Sequence, residues 1–309
     1  MSFARFLARL TVLLPIATFA LGACGSSAAG GGAEPAAPAT IPPVAQNAPN
    51  ALASHVAVAS PGNAPPPAAT SRPVAGNFPA GAMIDIPAGT FMMGADDQDD
   101  LFTRAKPVHE VGVAAFAMDV SVVTVAAYRG CVEAGKCSEP KRYDASDRWG
   151  RWCTWGQGGK ESHPVNCVDW DQAVAYCAWV GKRLPTEEEW EYAARGTDGR
   201  KYPWGNAEPS DQLCWKRYDS KAETGEGTCP AGSFTGGDSP FGLRDMAGNV
   251  WQWTSSGYSS DYGHPRSNNA RVNRGGGWSN VEPRNVRSAN RSWSAPSTRE
   301  TDIGIRCAR

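Results

Sequence analysis

The sequence predicts an α+β fold made of short strands, few helices and much irregular loop. Three features indicate this class. Apolar residues alternate on both sides of Pro87 and Gly89, two segments between Asp169 and Gly196 carry helix start and stop signals, and regular periodicity largely disappears after Gly196. Glycine, proline and tryptophan dominate that last part, so we expect short strands and long, well-packed loops there.

Short strands come first along this part of the chain. The segment AMIDIPAGTFMMG predicts two strands joined by a turn, and VHEVGVAAFAMDV continues the strand-like pattern. The next segment, TVAAYRGCVEAGKC, changes period, because Val125, Tyr128, Cys131 and Val132 fit one face of a helix. It therefore predicts the first helix.

Two further helices are marked by their ends. Each begins with a side chain that caps the first amides and a partner three residues later, and each is followed by a glycine that stops it. These residues are Asp169, Gln172 and Gly181 in DWDQAVAYCAWVGKRLP, and Thr186, Glu189 and Gly196 in TEEEWEYAARG.

The first 23 residues predict an export signal. Arg5 and Arg9 precede an apolar run from Leu10 to Leu21, and small residues then lead to Cys24. This pattern resembles a bacterial lipoprotein signal, which implies cleavage before Cys24 and lipidation of its thiol. We therefore expect a lipid-anchored protein of the cell envelope, in the periplasm or at the outer membrane, with the membrane as a partner. An ordinary cleaved secretory signal is the alternative.

Residues 24–77 predict a disordered tether, and residues 78–309 predict one domain. The tether is rich in alanine, proline, glycine and serine, with Glu34 and Arg72 its only formal charges, so it cannot bury a core. As a flexible coil it would reach on the order of 40 Å. The whole chain has 309 residues, a net charge of -1 and 20% charged residues, so nucleic acid is not expected as a partner.

The cysteines indicate disulfides. Apart from Cys24 there are eight, an even number that suits an exported protein. A zinc site is less consistent with the sequence, because no two cysteines have the spacing of a zinc knuckle. Many connectivities are open, but proximity in the chain favours three pairs and leaves a fourth: Cys131 with Cys137, Cys153 with Cys167, Cys214 with Cys229, and Cys177 with Cys307.

Six segments in order carry a resemblance to a known family: IPAGTFMMG, HPVNCVDWDQAVAYCAWVGKRLPTEEEWEYAARG, YPWGN, MAGNVWQW, RGGGW and GIRCAR. Over residues 82–309 the chain resembles the formylglycine-generating enzyme, or sulfatase-modifying factor, family. The resemblance implies a modified C-type-lectin-like fold with short antiparallel strands, and it matches Cys177 and Cys307 to a family disulfide. A second family disulfide would fall at Ala194 and Ser288, where this chain has no cysteine.

The resemblance also implies a catalytic site that this chain lacks. The family's enzyme holds copper(I) with two thiolates shortly after the RGG strand, and aligning on RGGGW puts Asn280 at the first position and residues 283–285 at the second. Gly277 stands where the enzyme has a serine implicated in handling oxygen, and Trp253 alone matches the local catalytic equipment. Copper is therefore not expected. A formylglycine-generating oxidase that modifies a sulfatase cysteine, through a relocated thiol pair, is the alternative.

The stretch RGGGWSNVEPRNVRSANR, residues 274–291, is instead predicted to be a binding surface. Similar folds in bacterial ligand-binding proteins display contact residues here, and exposed polar and aromatic side chains suit that use. The eight arginines from Arg271 onward suit an anionic ligand, and pairing with the three acids of that part is equally consistent. For Arg287, Asn290 and Arg291 the alternative is a role in holding loops together. The candidate contacts with a peptide, glycan or envelope-protein ligand are Trp278, Ser279, Asn280, Asn285, Arg287, Asn290 and Trp293.

Three further candidate features involve acidic residues or calcium ligands. Glu282 is the only acid in residues 274–291 and would be the general base of a different periplasmic oxidoreductase on this fold; an ion-paired surface glutamate is the alternative. The family's calcium motif matches Asn249, Val250 and Gln252, but Gln252 replaces an acid, which weakens the expected affinity. The acidic run of residues 96–100 predicts a solvated loop. Together these features predict an envelope lipoprotein whose domain binds a ligand without catalysis.

Overall fold

The computed structural model describes Pro79, residues 81–215 and residues 227–309. The predicted signal, Cys24 and the predicted tether lie outside these residues. Within them, eight strands and three α-helices are joined by loops and short 3₁₀ turns. The strands are β1 (Met83–Ile86), β2 (Gly89–Met93), β3 (His109–Val113), β4 (Phe116–Asp119), β5 (Trp251–Tyr258), β6 (Ser267–Arg274), β7 (Arg291–Ser294) and β8 (Ile303–Gly304), and the helices are α1 (Val125–Glu133), α2 (Trp170–Trp179) and α3 (Glu187–Arg195).

The first four strands form two nested antiparallel pairs. β1 pairs with β4, with Met83 opposite Asp119, and β2 pairs with β3, with Gly89 opposite Val113. In the sequence, β2 and β3 thus lie between β1 and β4, although the two pairs form separate sheets. The strands predicted on either side of Pro87 are confirmed, but each pairs with a later strand and not with the other.

A four-stranded sheet in the order β7-β6-β5-β8 occupies the C-terminal part. β6 is antiparallel to both of its neighbours, and β8 adds a short parallel pairing to β5. The two central strands are eight residues each, longer than the sequence indicates. The reason is burial: six of the eight residues of β5 are buried, so the strand has no alternation of apolar and polar residues.

The helix ends agree with the sequence analysis. The Asp169 side chain accepts a hydrogen bond from the Gln172 amide, and the Gln172 side chain accepts one from the Asp169 amide. Thr186 and Glu189 form the same reciprocal cap at the start of α3. Such caps satisfy amides that the first helical turn leaves unpaired. α3 ends at Gly196, whose φ of 64° is costly for residues with a side chain.

Four disulfides cross-link the domain, and all four predicted pairs are confirmed. The bond between Cys177 and Cys307 joins α2 to the C-terminus across a sequence separation of 130 residues. It lies in a core cluster that also contains Trp253, whereas Trp190 of α3 belongs to a second cluster with the nested pairs. Among the described residues, the helices are too short and too polar to span a bilayer.

Candidate functional site

The stretch 274–291 connects the ends of two neighbouring strands. It leaves β6 at Arg274, forms a 3₁₀ turn over Pro283–Val286 and enters β7 at Arg291. β6 and β7 pair directly, with Arg274 opposite Arg291, so the segment is a long excursion between paired strand ends. This arrangement gives its ends a rigid base and lets its middle reach the domain surface.

The two arginines at the strand ends are buried in a network of charges. Arg274 pairs with Glu191 and donates to the carbonyl oxygens of residues 288–290, at distances from 2.7 to 3.1 Å. Arg291 donates to both oxygens of Glu187, at 2.5 and 2.9 Å. Since both guanidinium groups are enclosed and bound to carboxylates and backbone carbonyls within the fold, they hold the segment in place and are not open to a ligand.

Two arginines at the 3₁₀ turn, one within it and one directly after it, are also paired, but near the surface. Arg284 bonds to Glu282 at 2.5 Å and to Asp99 at 3.0 Å, and Arg287 binds both oxygens of Asp97, at 2.9 and 2.7 Å. The predicted solvated acidic loop is therefore the partner of this turn, and Glu282 is an ion-paired surface residue. An anionic ligand would have to compete with these carboxylates.

A cleft of about 390 Å³ lies beside these ion pairs. Lys201 is exposed at its rim, and its ammonium forms no ion pair with a described residue. Acidic and basic side chains line the cleft in similar numbers, so its charge favours neither an anionic nor a cationic ligand. The lining residues are Lys201, Tyr202, Glu208, Glu282, Pro283, Arg284 and Arg287.

The middle of the stretch forms a different surface, which we call the tryptophan edge and define as Trp152, Trp278, Ser279, Glu300 and Asp302. The rings of Trp152 and Trp278 are 5.3 Å apart, and the Trp278 indole donates to a backbone carbonyl of residue 301 at 3.0 Å. The Ser279 hydroxyl donates to the Asp302 carboxylate at 2.5 Å. Trp278 is only 8% exposed, so the structure corrects its prediction as an exposed contact residue. The partly exposed Trp152 ring, the exposed Ser279 hydroxyl and the carboxylates are what this edge presents at the surface.

The two carboxylates of the tryptophan edge are destabilised in their charged form. Burial raises the pKa of Asp302, although the bond from Ser279 lowers it. Burial and the nearby charge of Asp302 raise the pKa of Glu300. Neither side chain forms an ion pair with any residue that the structure describes. The edge thus carries negative charge that the fold does not neutralise.

The positions where the family's enzyme has its copper ligands offer no sulfur. The Asn280 side-chain oxygen accepts a hydrogen bond from the Gly277 amide at 2.7 Å. A Cβ at Gly277 would lie 2.9 Å from the Asp302 Cβ, so a serine does not fit here without movement. All eight cysteines in the described residues are in disulfides. The donor set therefore does not fit copper(I), which needs soft ligands.

In the motif that matches the family's calcium site, the side-chain oxygens already accept hydrogen bonds from within the protein. The Asn249 side-chain oxygen accepts from the Cys229 amide at 3.2 Å, and the Gln252 oxygen accepts from Trp190 and Arg306, both at 2.8 Å. An oxygen that already binds a guanidinium group is poorly placed for a cation. No cluster of three histidine, cysteine or acidic side chains suited to a metal occurs in the described part of the chain.

The remaining candidates divide between core and surface. Val250, Trp253 and Asn290 are buried, and Asn290 donates to the carbonyl oxygen of Asn285 at 2.8 Å. Trp293 is 49% exposed on β7, where it packs against a tyrosine of β5. The structure therefore brings Trp278, Ser279 and Asn280 together, but it does not bring Trp293 into contact with them.

Three members of the tryptophan edge are not among the contact residues predicted from the sequence: Trp152, Glu300 and Asp302. Glu300 and Asp302 are two of the three acids considered as partners of the arginines, but neither pairs with one among the described residues. Asp302 reaches Ser279 across 23 residues of sequence, and Trp152 comes from a loop before α2, so no local pattern links them. The available signal is the pair of acids in RETD, which directly precedes β8 and the motif GIRCAR.

This geometry defines a disulfide-stabilised, C-type-lectin-like α+β domain whose described residues contain no thiolate pair. The family described as sulfatase-modifying factor enzyme 1-like domain matches residues 68–309. The chain belongs to this family of formylglycine-generating enzyme-like proteins, as the resemblance predicts.

The similar proteins include both active and inactive members. The chain is 33% identical over 276 residues to the inactive C-alpha-formylglycine-generating enzyme 2 of Bos taurus, covering 75% of this chain and 89% of that protein. It is 32% identical over 298 residues to the formylglycine-generating enzyme of Bos taurus, covering 80% and 78%. The solved structure of PvdO from Pseudomonas aeruginosa matches with a TM-score of 0.59 and 29% identity, covering 74% of this chain and 93% of that one. Family membership alone therefore does not decide whether this chain is an enzyme.

Proposed function

We propose that this protein is a lipid-anchored binding module of the cell envelope that has lost the oxidase chemistry of its family. The observation that carries this proposal is the state of the cysteines. Every cysteine of the described domain is in a disulfide, so no thiol pair has moved to replace the missing copper ligands. Without a nucleophile or metal ligand, turnover falls by orders of magnitude.

The binding surface in this proposal is centred on Trp278, Ser279 and Asn280. Asp302 and Glu300 extend it with carboxylates that have no ion-pair partner among the described residues. The ligand is a peptide, a glycan or another envelope protein, which would pack on the partly exposed Trp152 ring and bond to the polar groups around it. A lipid on Cys24 and the tether would place this surface away from the membrane, in the periplasm or at the outer membrane.

The test compares turnover with binding in the same preparation. The full chain, purified from an oxidising compartment, is incubated with copper(I), oxygen and a cysteine peptide of sulfatase type, beside an active formylglycine-generating enzyme as positive control. We expect no formylglycine by mass spectrometry, and no free thiols in the domain. Copper-dependent conversion above the peptide-only control would overturn the proposal.

The same preparation is screened against envelope peptides and glycans with a matched pair of variants. Ser279→Ala removes a hydroxyl of the tryptophan edge, whereas Ser233→Ala removes an exposed hydroxyl elsewhere. We expect Ser279→Ala to weaken binding about three- to tenfold and Ser233→Ala to leave it unchanged. In cells, Cys24→Ser should release the protein from the membrane fraction.

A further inference from the structure

A second cavity lies away from the stretch 274–291, between the end of β4, the start of α1 and one face of α2. Its volume is about 180 Å³, which corresponds to about six water molecules at about 30 Å³ each. Pro79, Gly81 and Ser162 are exposed at its mouth, so it opens to solvent. The chain from Val120 to Val123 forms an apolar part of its wall.

Tyr176 of α2 lines this cavity with a largely buried ring and a hydroxyl that has no hydrogen-bond partner among the described residues. Its ring is held by Tyr128, stacked at 5.5 Å, and by Trp179, tilted at 6.0 Å. Only 6% of the residue is exposed, yet its hydroxyl forms no hydrogen bond with any residue that the structure describes. Burial and the nearby charge of Asp119 raise the pKa of Tyr176 to about 12, which keeps the hydroxyl protonated as a donor. Because the cavity opens to solvent, this hydroxyl is available to a molecule that enters it.

The charges around the cavity balance one another. Asp119 lines it and pairs with Lys182 at 2.5 Å, and its second oxygen accepts from the Cys307 amide at 3.2 Å. Lys182 also donates to the Gly81 carbonyl at 2.9 Å. A carboxylate can accept about four hydrogen bonds, so Asp119 retains accepting capacity while its charge is already neutralised. A charged ligand gains little from this wall.

Donor and acceptor groups therefore lie side by side in a small, partly apolar space. Tyr176 donates and Asp119 accepts, whereas the Arg244 guanidinium on another wall bonds to the Gly232 carbonyl at 3.2 Å. A ligand hydroxyl is the group that donates and accepts at once, and the C–H faces of a polyol suit the apolar wall. We propose that this cavity is a binding site for a neutral, hydroxyl-rich ligand, either a free polyol or a single sugar unit. It is independent of the function proposed above, because it shares no residue with the tryptophan edge.

The test is a saturation-transfer NMR titration of the full chain in a detergent without a sugar headgroup. The probes are glycerol, glucose and maltotriose, at concentrations up to about 100 mM, because a small polar site gives weak affinity. Binding of glycerol or glucose supports the site. Maltotriose binding at least as tightly as glucose identifies the end of a glycan as the source, whereas preference for glycerol identifies a free polyol.

Three variants locate any binding. Tyr176→Phe removes only the hydroxyl and should weaken the affinity about three- to tenfold. Ser162→Trp should block the exposed mouth and abolish binding. Tyr192→Phe, the matched control, changes a buried tyrosine of the other core cluster and should leave the affinity unchanged. Absence of binding for every probe, or binding that neither Tyr176→Phe nor Ser162→Trp alters, overturns the proposal.

Discussion

The ends and the middle of the stretch 274–291 both carry polar residues, but those at the ends hold the fold together and those in the middle lie at the surface. At its ends, Arg274 and Arg291 are almost completely buried and bound to Glu191 and Glu187. In its middle, the exposed Ser279 bonds to a carboxylate that has no basic partner in the described structure. The depth of burial and the state of pairing therefore separate scaffold from surface in this stretch.

In the buried region at the ends of the stretch, arginines and glutamates neutralise one another's charges. Five charges, three on α3 and two at the ends of β6 and β7, lie within one network, and each guanidinium also binds backbone carbonyls. Such a network is costly to break, since a lone buried charge keeps its desolvation penalty and loses its partner. The carboxylates of the tryptophan edge have no such ion-pair partners among the described residues. Substitutions there should therefore affect ligand binding more than stability.

The largest effect should follow from breaking the buried region. Arg274→Ala leaves Glu191 without its nearest partner and should lower the free energy of unfolding by roughly 3–5 kcal/mol. Urea unfolding with the disulfides intact measures this loss. The matched control is Arg284→Ala, which removes an exposed arginine of the same stretch and should leave the unfolding midpoint unchanged. Equal effects of the two substitutions would contradict the distinction between the regions.

The second-largest effect should be a loss of stability of the same buried region at acidic pH. Burial raises the pKa of Glu191, but Arg274 and Arg195 outweigh burial and place this pKa below its ordinary value of 4.5. Its contribution to stability is therefore present above pH 4.5 and is lost as the pH falls through the folded-state pKa.

The measurement compares wild type with Glu191→Gln in unfolding experiments from neutral pH into this acidic range. The variant should be less stable at neutral pH, and the difference should shrink on acidification, because a protonated glutamate resembles glutamine. Glu188→Gln, at an exposed ion pair of the same helix, should give a curve parallel to wild type. A difference between wild type and Glu191→Gln that is constant with pH would show that Glu191 does not titrate in this way.

The sequence predicted most of the fold because its signals are local. The caps at Asp169 and Thr186 and the glycine that ends α3 act within a few residues, and three of the four disulfides join neighbours in the chain. The length of β5 was missed because a strand buried on both faces lacks alternation.

The candidate site was predicted only in part, because its contacts cross large sequence separations. Ser279 meets Asp302 across 23 residues, and Arg287 meets Asp97 across 190. The composition of the stretch showed an excess of arginine, but it did not show that all four of its guanidinium groups would be bound by carboxylates from outside the stretch: Asp97, Asp99, Glu187 and Glu191.

The smallest effect is expected at the tryptophan edge. Because burial raises the pKa of Asp302 above its ordinary value of 3.8, the folded state disfavours the charged form. This penalty is present at neutral pH and disappears as the pH falls through the folded-state pKa. Asp302→Asn keeps an acceptor for Ser279 and should therefore raise stability at neutral pH by less than about 1 kcal/mol.

Thermal unfolding of Asp302→Asn at pH 7 and below pH 4 checks this sign, and the gain should vanish at the lower pH. Asp302→Ala is the control, because it also removes the charge but loses the hydrogen bond to Ser279. If Asp302→Asn is instead as destabilised as Asp302→Ala at pH 7, the carboxylate is part of the scaffold, like Glu191. If the gain is observed together with weaker ligand binding, the charge is kept at a cost in stability for the ligand's sake, as is common at functional sites.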